Sequence, residues 1–337
     1  IEEAIALYQK AIEIVPENCR IYAKLAKLIM RQGNIEGAVI AYQKAITQAS
    51  TQKTKQPAWF YNWVYSELGE ALEKNGQIEE AIATYHKAIE LNPNLISALL
   101  KLAEIQENQK EYAQAFTYYL EIVSLQPKKQ VFFQNLVRVS KNYSKLLLKK
   151  NYLDRAIAVY QEFLNHKLPR KANAERIDRI CHNLGEVILR LSVRQGQFSR
   201  GITFFQEAID KYPYKDWSYY HLGSILAKQD KLDEAIANYE KAVAIRPKFP
   251  LALLSLGELF LQTKQRNKAF QCGLKILQSQ ENFTNERLNR IFIRLLLAHS
   301  NPKKSQEALQ KLIEQIENSS SKPSLKATTY NNIGVIL

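Results

Sequence analysis

The chain has little of what makes tight turns: 11 glycines and 10 prolines in 337 residues, well below the usual shares of about 7% and 5%. That scarcity predicts few tight turns and argues against β-sandwiches, barrels and glycine-loop nucleotide folds. Cysteine occurs three times, at Cys19, Cys181 and Cys272. An odd number so widely spaced excludes a disulfide framework and a Cys-x-x-Cys metal site. No apolar run approaches the roughly 18 residues of a membrane span, so no membrane partner is expected. Catalytic signatures are missing too. The five histidines are scattered, and no His-Glu-x-x-His, Walker or Gly-x-Ser-x-Gly pattern occurs. Cys181 and His182 are adjacent, but neighbours on a helix point about 100° apart and form no dyad by default. The expectation is a chain with no catalytic residues, no metal, no cofactor and no enzymatic activity of its own.

What is present is periodicity. Apolar residues at i, i+3, i+4 and i+7 mark amphipathic helices throughout. One phrase recurs: Ala81-Ile82-Ala83-Thr84-Tyr85-His86-Lys87-Ala88 followed by Pro93, and Ala235-Ile236-Ala237-Asn238-Tyr239-Glu240-Lys241-Ala242 followed by Pro247. Ala4, Tyr8, Ala11 and Pro16 repeat the spacing, as do Ala115, Tyr119, Ile122 and Pro127. About a dozen residues before each alanine comes a small-residue pair: Leu25-Ala26, Leu68-Gly69, Leu102-Ala103, Leu222-Gly223. On these residues the chain resembles the tetratricopeptide repeat family. The resemblance implies an all-α, right-handed α-solenoid of antiparallel helix pairs, whose first helices line a concave groove.

Placing each repeat gives a half-repeat at 1–15, eight helix pairs within 18–317, and a half-repeat at 327–337. These are read as a single array. The pairs fall at about 18–48, 58–91, 94–125, 129–165, 173–210, 214–245, 248–279 and 284–317. Some nine extra residues around Ser50 to Pro57 precede one first helix, and the register is irregular over 128–200, where the stack is expected to break if it breaks anywhere. Ile1 lies inside a helical pattern, so the chain reads as a piece of a longer, bacterial-type array. A cytoplasmic setting, resting on the reduced cysteines, is only a default.

Charge is concentrated. Residues 1–127 carry a net of −3, whereas 128–200 hold 16 basic against 5 acidic side chains, a net of +11. Arg138, Lys141, Lys145 and Lys149 share one helical face within about 80°, with Leu136, Tyr143 and Leu147 expected to pack inward on the other. Arg179, Arg190 and Arg194 add to that face on the next first helix, partly balanced by Glu186. One reading is a solvated lysine-rich surface; the other is a groove facing an acidic or phosphorylated peptide, or nucleic acid, the last being least favoured. An aromatic cluster, Trp59, Phe60, Tyr61, Trp63 and Tyr65, adjoins the insertion. Trp63 and Trp217 fall at a repeat position that tends to face the groove, so both are candidate partner anchors. The alternative is that the cluster covers its own helix's core.

The family's known groove chemistries fit poorly. In a clamp of Lys and Asn that binds a terminal carboxylate, Glu70 and Glu104 would repel that carboxylate, and an asparagine ladder is matched only by Asn183 and Asn332. The expected function is a protein-interaction scaffold holding an extended peptide. The alternatives are the recognition arm of a larger glycosyl-, sulfo- or methyltransferase, and RNA or DNA binding through the basic middle.

Overall fold

A computed structural model describes residues 1–51, 56–166, 168, 170–212, 214–279, 285–318 and 323–336. Among the described residues there are eighteen α-helices and no strand. They are α1 (Glu2–Ile14), α2 (Cys19–Gln32), α3 (Ile35–Thr51), α4 (Ala58–Lys74), α5 (Ile78–Leu91) and α6 (Ile96–Asn108). Next come α7 (Tyr112–Leu125), α8 (Gln130–Lys150), α9 (Leu153–Asn165), α10 (Arg170–Arg194), α11 (Phe198–Lys211) and α12 (Lys215–Lys228). The last six are α13 (Leu232–Ile245), α14 (Pro250–Gln262), α15 (Arg266–Gln278), α16 (Glu286–Leu296), α17 (Pro302–Asn318) and α18 (Pro323–Ile336). Four of the extra residues expected before α4, at 52–55, lie outside the described residues, as do 284 and 337.

The chain divides into two compact units. The first holds residues 1–143 and 168–177; the second holds 144–167 and 178–337. In the first, α2 packs on α3, α4 on α5 and α6 on α7, and each pair leans on the next through α3–α4 and α5–α6. In the second, α12–α13 and α14–α15 are the tight pairs, linked through α11–α12, α13–α14 and α15–α16. Helix α16 packs more on α18 than on its sequence partner α17. Each unit thus buries its apolar stripes between neighbouring helices of a stack.

Tight turns turn out to be regular rather than rare. In seven pairs one left-handed residue ends the first helix: Gly33, Gly76, Lys110, Asn151, Gly196, Asp230 and Lys264. The next amide reverses onto the carbonyl five residues back, as in Asn34 N–H to Ile29 (3.2 Å), Glu111 to Gln106 (2.8 Å) and Gln265 to Phe260 (2.7 Å). This is the helix-terminating geometry that glycine suits best, yet four of the seven are not glycine. Glycine scarcity therefore misled about the turns, because the motif tolerates other residues at a cost in strain.

The small residues of the Leu-Gly pairs make room for an aromatic ring. A Cβ on Gly69 would lie 2.6 Å from the Tyr85 ring, and one on Gly223 3.0 Å from Tyr239. Both tyrosines are buried, so adding a methyl there would overpack the pair by about 1–3 kcal/mol. In α14–α15 the ring is replaced by glycine, Gly273. Leu295, from α16, fills the gap instead: it lies within 2.6 Å of a Cβ built on Gly257 and 3.0 Å of one on Gly273.

Candidate partner-binding faces

In the first unit the hydroxyls of the buried tyrosines meet glutamates, and each glutamate meets a cation. Tyr42 donates to Glu67 (3.2 Å), which also accepts from Lys27 (2.6 Å) and from the Trp63 indole N–H (3.1 Å). Tyr85 donates to Glu73 (3.3 Å), closed by Lys101 (3.3 Å). Tyr119 donates to Glu107 (3.2 Å), closed by Arg138 through Nε (2.7 Å) and Nη2 (2.8 Å). Burial, then the neighbouring carboxylate, pushes all three phenols well above their ordinary value, so they stay neutral donors.

Two of the expected site residues change meaning here. Arg138 is no free cation of a stripe. Its fork clamps Glu107 bidentately, and the hydrogen bond to that carboxylate raises its pKa. It lines a cleft of about 510 Å³ together with Glu73, Glu104, Glu107 and Asn108, so its surroundings are acidic. Trp63 is half-buried, with Lys27 5.9 Å from its ring centre. Lys141, on the same face of α8 as Arg138, is exposed. Leu136, Tyr143 and Leu147 are buried, as the periodicity of α8 requires.

In the second unit Lys145 and Lys149 are exposed, and among the described residues no carboxylate pairs with either. Arg179, Arg190 and Arg194 are exposed on α10. Arg190 reaches Glu186 at 2.7 Å, and Arg194 donates to the Leu148 carbonyl at 2.9 Å. Trp217 corrects the expectation that it faces the groove: it is only 4% exposed. Its indole N–H donates to Asp178 (2.9 Å) and its ring packs edge-on to Phe249 at 4.7 Å. Repeat position alone assigned it to the groove; the turn after α13, which brings Arg246 and Phe249 over the ring, takes it out of solvent.

That turn builds a second feature no motif announced. Arg246 pairs with Asp178 and, at 3.1 Å, with the fully buried Asp216, while its guanidinium lies 3.6 Å from the Phe249 ring centre. Beside it, His221 is fully buried, stacked on Phe205 (5.3 Å) and Trp217 (5.6 Å), and neither ring nitrogen has a hydrogen-bond partner among the described residues. Burial holds the pKa of His221 well below 6.5 and lowers that of His182. Gly185 is obligatory here, since a Cβ would come within 2.2 Å of His221 Nε2. Cys181 is buried and His182 stacks towards Trp217 and His221.

Asn332, one of the two matches to an asparagine ladder, is buried against Asn289 (3.1 Å) and accepts from Arg290 (3.0 Å). Among the described residues no helix is long and apolar enough to cross a membrane.

This architecture defines the class: an all-α repeat fold in which, within each unit, helix pairs stack on one another. Residues 1–33, 69–110 and 223–264 match a family model described as TPR repeat, and 97–129 match one described as tetratricopeptide repeat. These segments of the chain are tetratricopeptide repeats. Among similar proteins, the human Protein O-mannosyl-transferase TMTC3 is 23% identical over 223 residues, covering 66% of this chain and 20% of its own length. The Peroxisomal targeting signal receptor of Kluyveromyces lactis is 24% identical over 194 residues, 50% of this chain and 33% of the receptor. The BBSome complex member BBS4 of Bos taurus is 36% identical over 92 residues, 27% of this chain and 17% of that protein. The matched region spans a third or less of each of these relatives.

Proposed function

We propose that the chain is a protein-interaction scaffold that holds an extended, acidic partner segment against the first-helix faces of its second unit. The observation carrying this reading is the exposed set Lys145, Lys149, Arg179, Arg190 and Arg194. Its two lysines are uncommitted to any carboxylate among the described residues, unlike Arg138. Two relatives agree in kind: one is named as a receptor for a targeting signal and one as a member of a complex. Acidic and phosphorylated segments share the chemistry these cations recognise, and binding through them weakens steeply with salt.

The test is fluorescence anisotropy of labelled polyglutamate and its phosphoserine counterpart against the chain at rising salt. Combined Lys145→Glu, Lys149→Glu and Arg190→Glu changes are expected to abolish binding while the melting temperature hardly moves, because the side chains are exposed. Binding that survives the triple change refutes the assignment. A second reading, the recognition arm of a larger transferase, draws on the similarity to a protein named as an O-mannosyl-transferase. A transferase domain in the adjoining coding sequence would support it.

A further inference from the structure

The aromatic cluster of α4 divides into an inward and an outward part. Phe60 is fully buried and Tyr61, Trp63 and Tyr65 are half-buried. The Tyr61 hydroxyl donates to the Ala49 carbonyl (3.2 Å), and its ring stacks on Tyr65 at 6.4 Å. These four serve the packing of the first unit. Trp59 does not, since it is 57% exposed. It stands on the extra N-terminal turn that gives α4 its 17 residues, against 14 in α2 and 13 in α6.

An exposed indole has one neighbour of note. The Arg20 guanidinium lies 5.4 Å from the Trp59 ring centre, and Arg20 Nε donates to Gln56 Oε1 at 3.2 Å. Stack and hydrogen bond together fix the plane of the guanidinium, and the Nη groups take no carboxylate among the described residues. Arg20 also heads a row. Arg20, Lys24, Lys27 and Arg31 recur at i, i+4, i+7 and i+11, on one face of α2. Lys27 is spent on Glu67, whereas Arg20, Lys24 and Arg31 have no carboxylate partner among the described residues.

We propose that Trp59 and Arg20 form an anchor on the first unit for an acidic peptide segment of a partner protein, one carrying an apolar side chain among its carboxylates. The oriented guanidinium offers a carboxylate two parallel N–H donors. The indole face supplies flat apolar area at little cost in side-chain entropy, and Trp and Arg are among the residue types that most often dominate binding energy. A nucleic acid is the poorer occupant. Residues 1–127 carry a net of −3, and a backbone charged at every unit must meet that field along its length, whereas a peptide can confine its carboxylates to the cations of α2. The proposal rests on the interaction-scaffold reading, but on different residues, all in the first unit.

The probe is a short labelled peptide of alternating aspartate and leucine, set against a lysine–leucine peptide and a single-stranded oligonucleotide. The aspartate peptide should bind, and Trp59→Ala and Arg20→Glu should each weaken it by about tenfold, the 1.4 kcal/mol scale of an anchor residue. Thermal melting should be unchanged, as both side chains lie at the surface. Loss of the second-unit stripe by Lys145→Glu and Lys149→Glu should leave this affinity intact, so the two assignments fail separately. No binding by the unaltered chain, an unchanged Kd in both anchor variants, or tighter binding of the oligonucleotide or the lysine peptide would overturn the proposal.

Discussion

The two units solve one packing problem in different ways. Both must end their buried aromatic side chains on something polar. In the first unit, tyrosine hydroxyls reach glutamates at the rim, and the closing cation is half in water, as with Arg138 at 53% side-chain exposure. In the second unit the polar closure is drawn inside. Arg246, at 22% side-chain exposure, sits between Asp178 and the fully buried Asp216, over Trp217 and Phe249 and next to the buried His221. Charge at the rim is screened and adjustable; charge in the core is neither. The first arrangement therefore leaves stability insensitive to its ion pairs, and the second makes stability depend on them.

The largest test of that contrast is deletion of one guanidinium from each unit. Arg246→Ala leaves Asp216 fully buried without its counter-ion and should cost about 3–5 kcal/mol, read from urea denaturation. Arg138→Ala, at an exposed pair, should cost less than about 1 kcal/mol. Equal losses would erase the distinction.

Acid sharpens it further. Burial lowers the folded-state pKa of His221 and His182 below 6.5. Between those folded values and 6.5, the unfolded chain holds protons that the folded chain does not. Stability is therefore complete above about pH 6.5 and falls as pH drops, by up to about 1.4 kcal/mol per pH unit for each histidine. His221→Phe, which keeps the stacking, should flatten the slope. Hydrogen exchange on α10 and α12 reports it directly, and an unchanged slope would contradict the role given to His221.

The smallest effect lies in the turns. Lys110→Gly in the first unit and Asp230→Gly in the second should each stabilise by about 0.5–1 kcal/mol by relieving a positive φ, visible as a higher melting temperature. The turn is common to both units, so these gains should match even though the ion-pair losses do not.

The helices were legible because burial leaves a period. Leu136, Tyr143 and Leu147 on α8 could be assigned inward from spacing alone. Partnership across repeats left no such trace. Glu107 lies 31 residues from Arg138, and nothing at either position marks the other. Trp217 failed for the same reason: its repeat position describes its own helix, whereas its burial is set by Arg246 and Phe249 beyond the next one. The row Arg20, Lys24, Lys27 and Arg31 was readable by the criterion applied to α8, but the acidic balance of the first 127 residues concealed it. For the exposed lysines of the second unit, spacing could place them on a face without saying whether anything binds there.

Leu295 carries a consequence for how such a chain can evolve. Repeat stacks bury their apolar faces between neighbours, so a pair copied alone packs well only if it carries the side chains that fill its own gaps. The pair α14–α15 does not, because the side chain that fills the space over Gly257 and Gly273 belongs to α16. Copied alone, that pair would bring two glycines and no leucine, leaving a hole at the new junction. Helices α14 to α16 therefore pack as one block, and an array cut between Gln278 and Glu286 would lose the side chain that closes it.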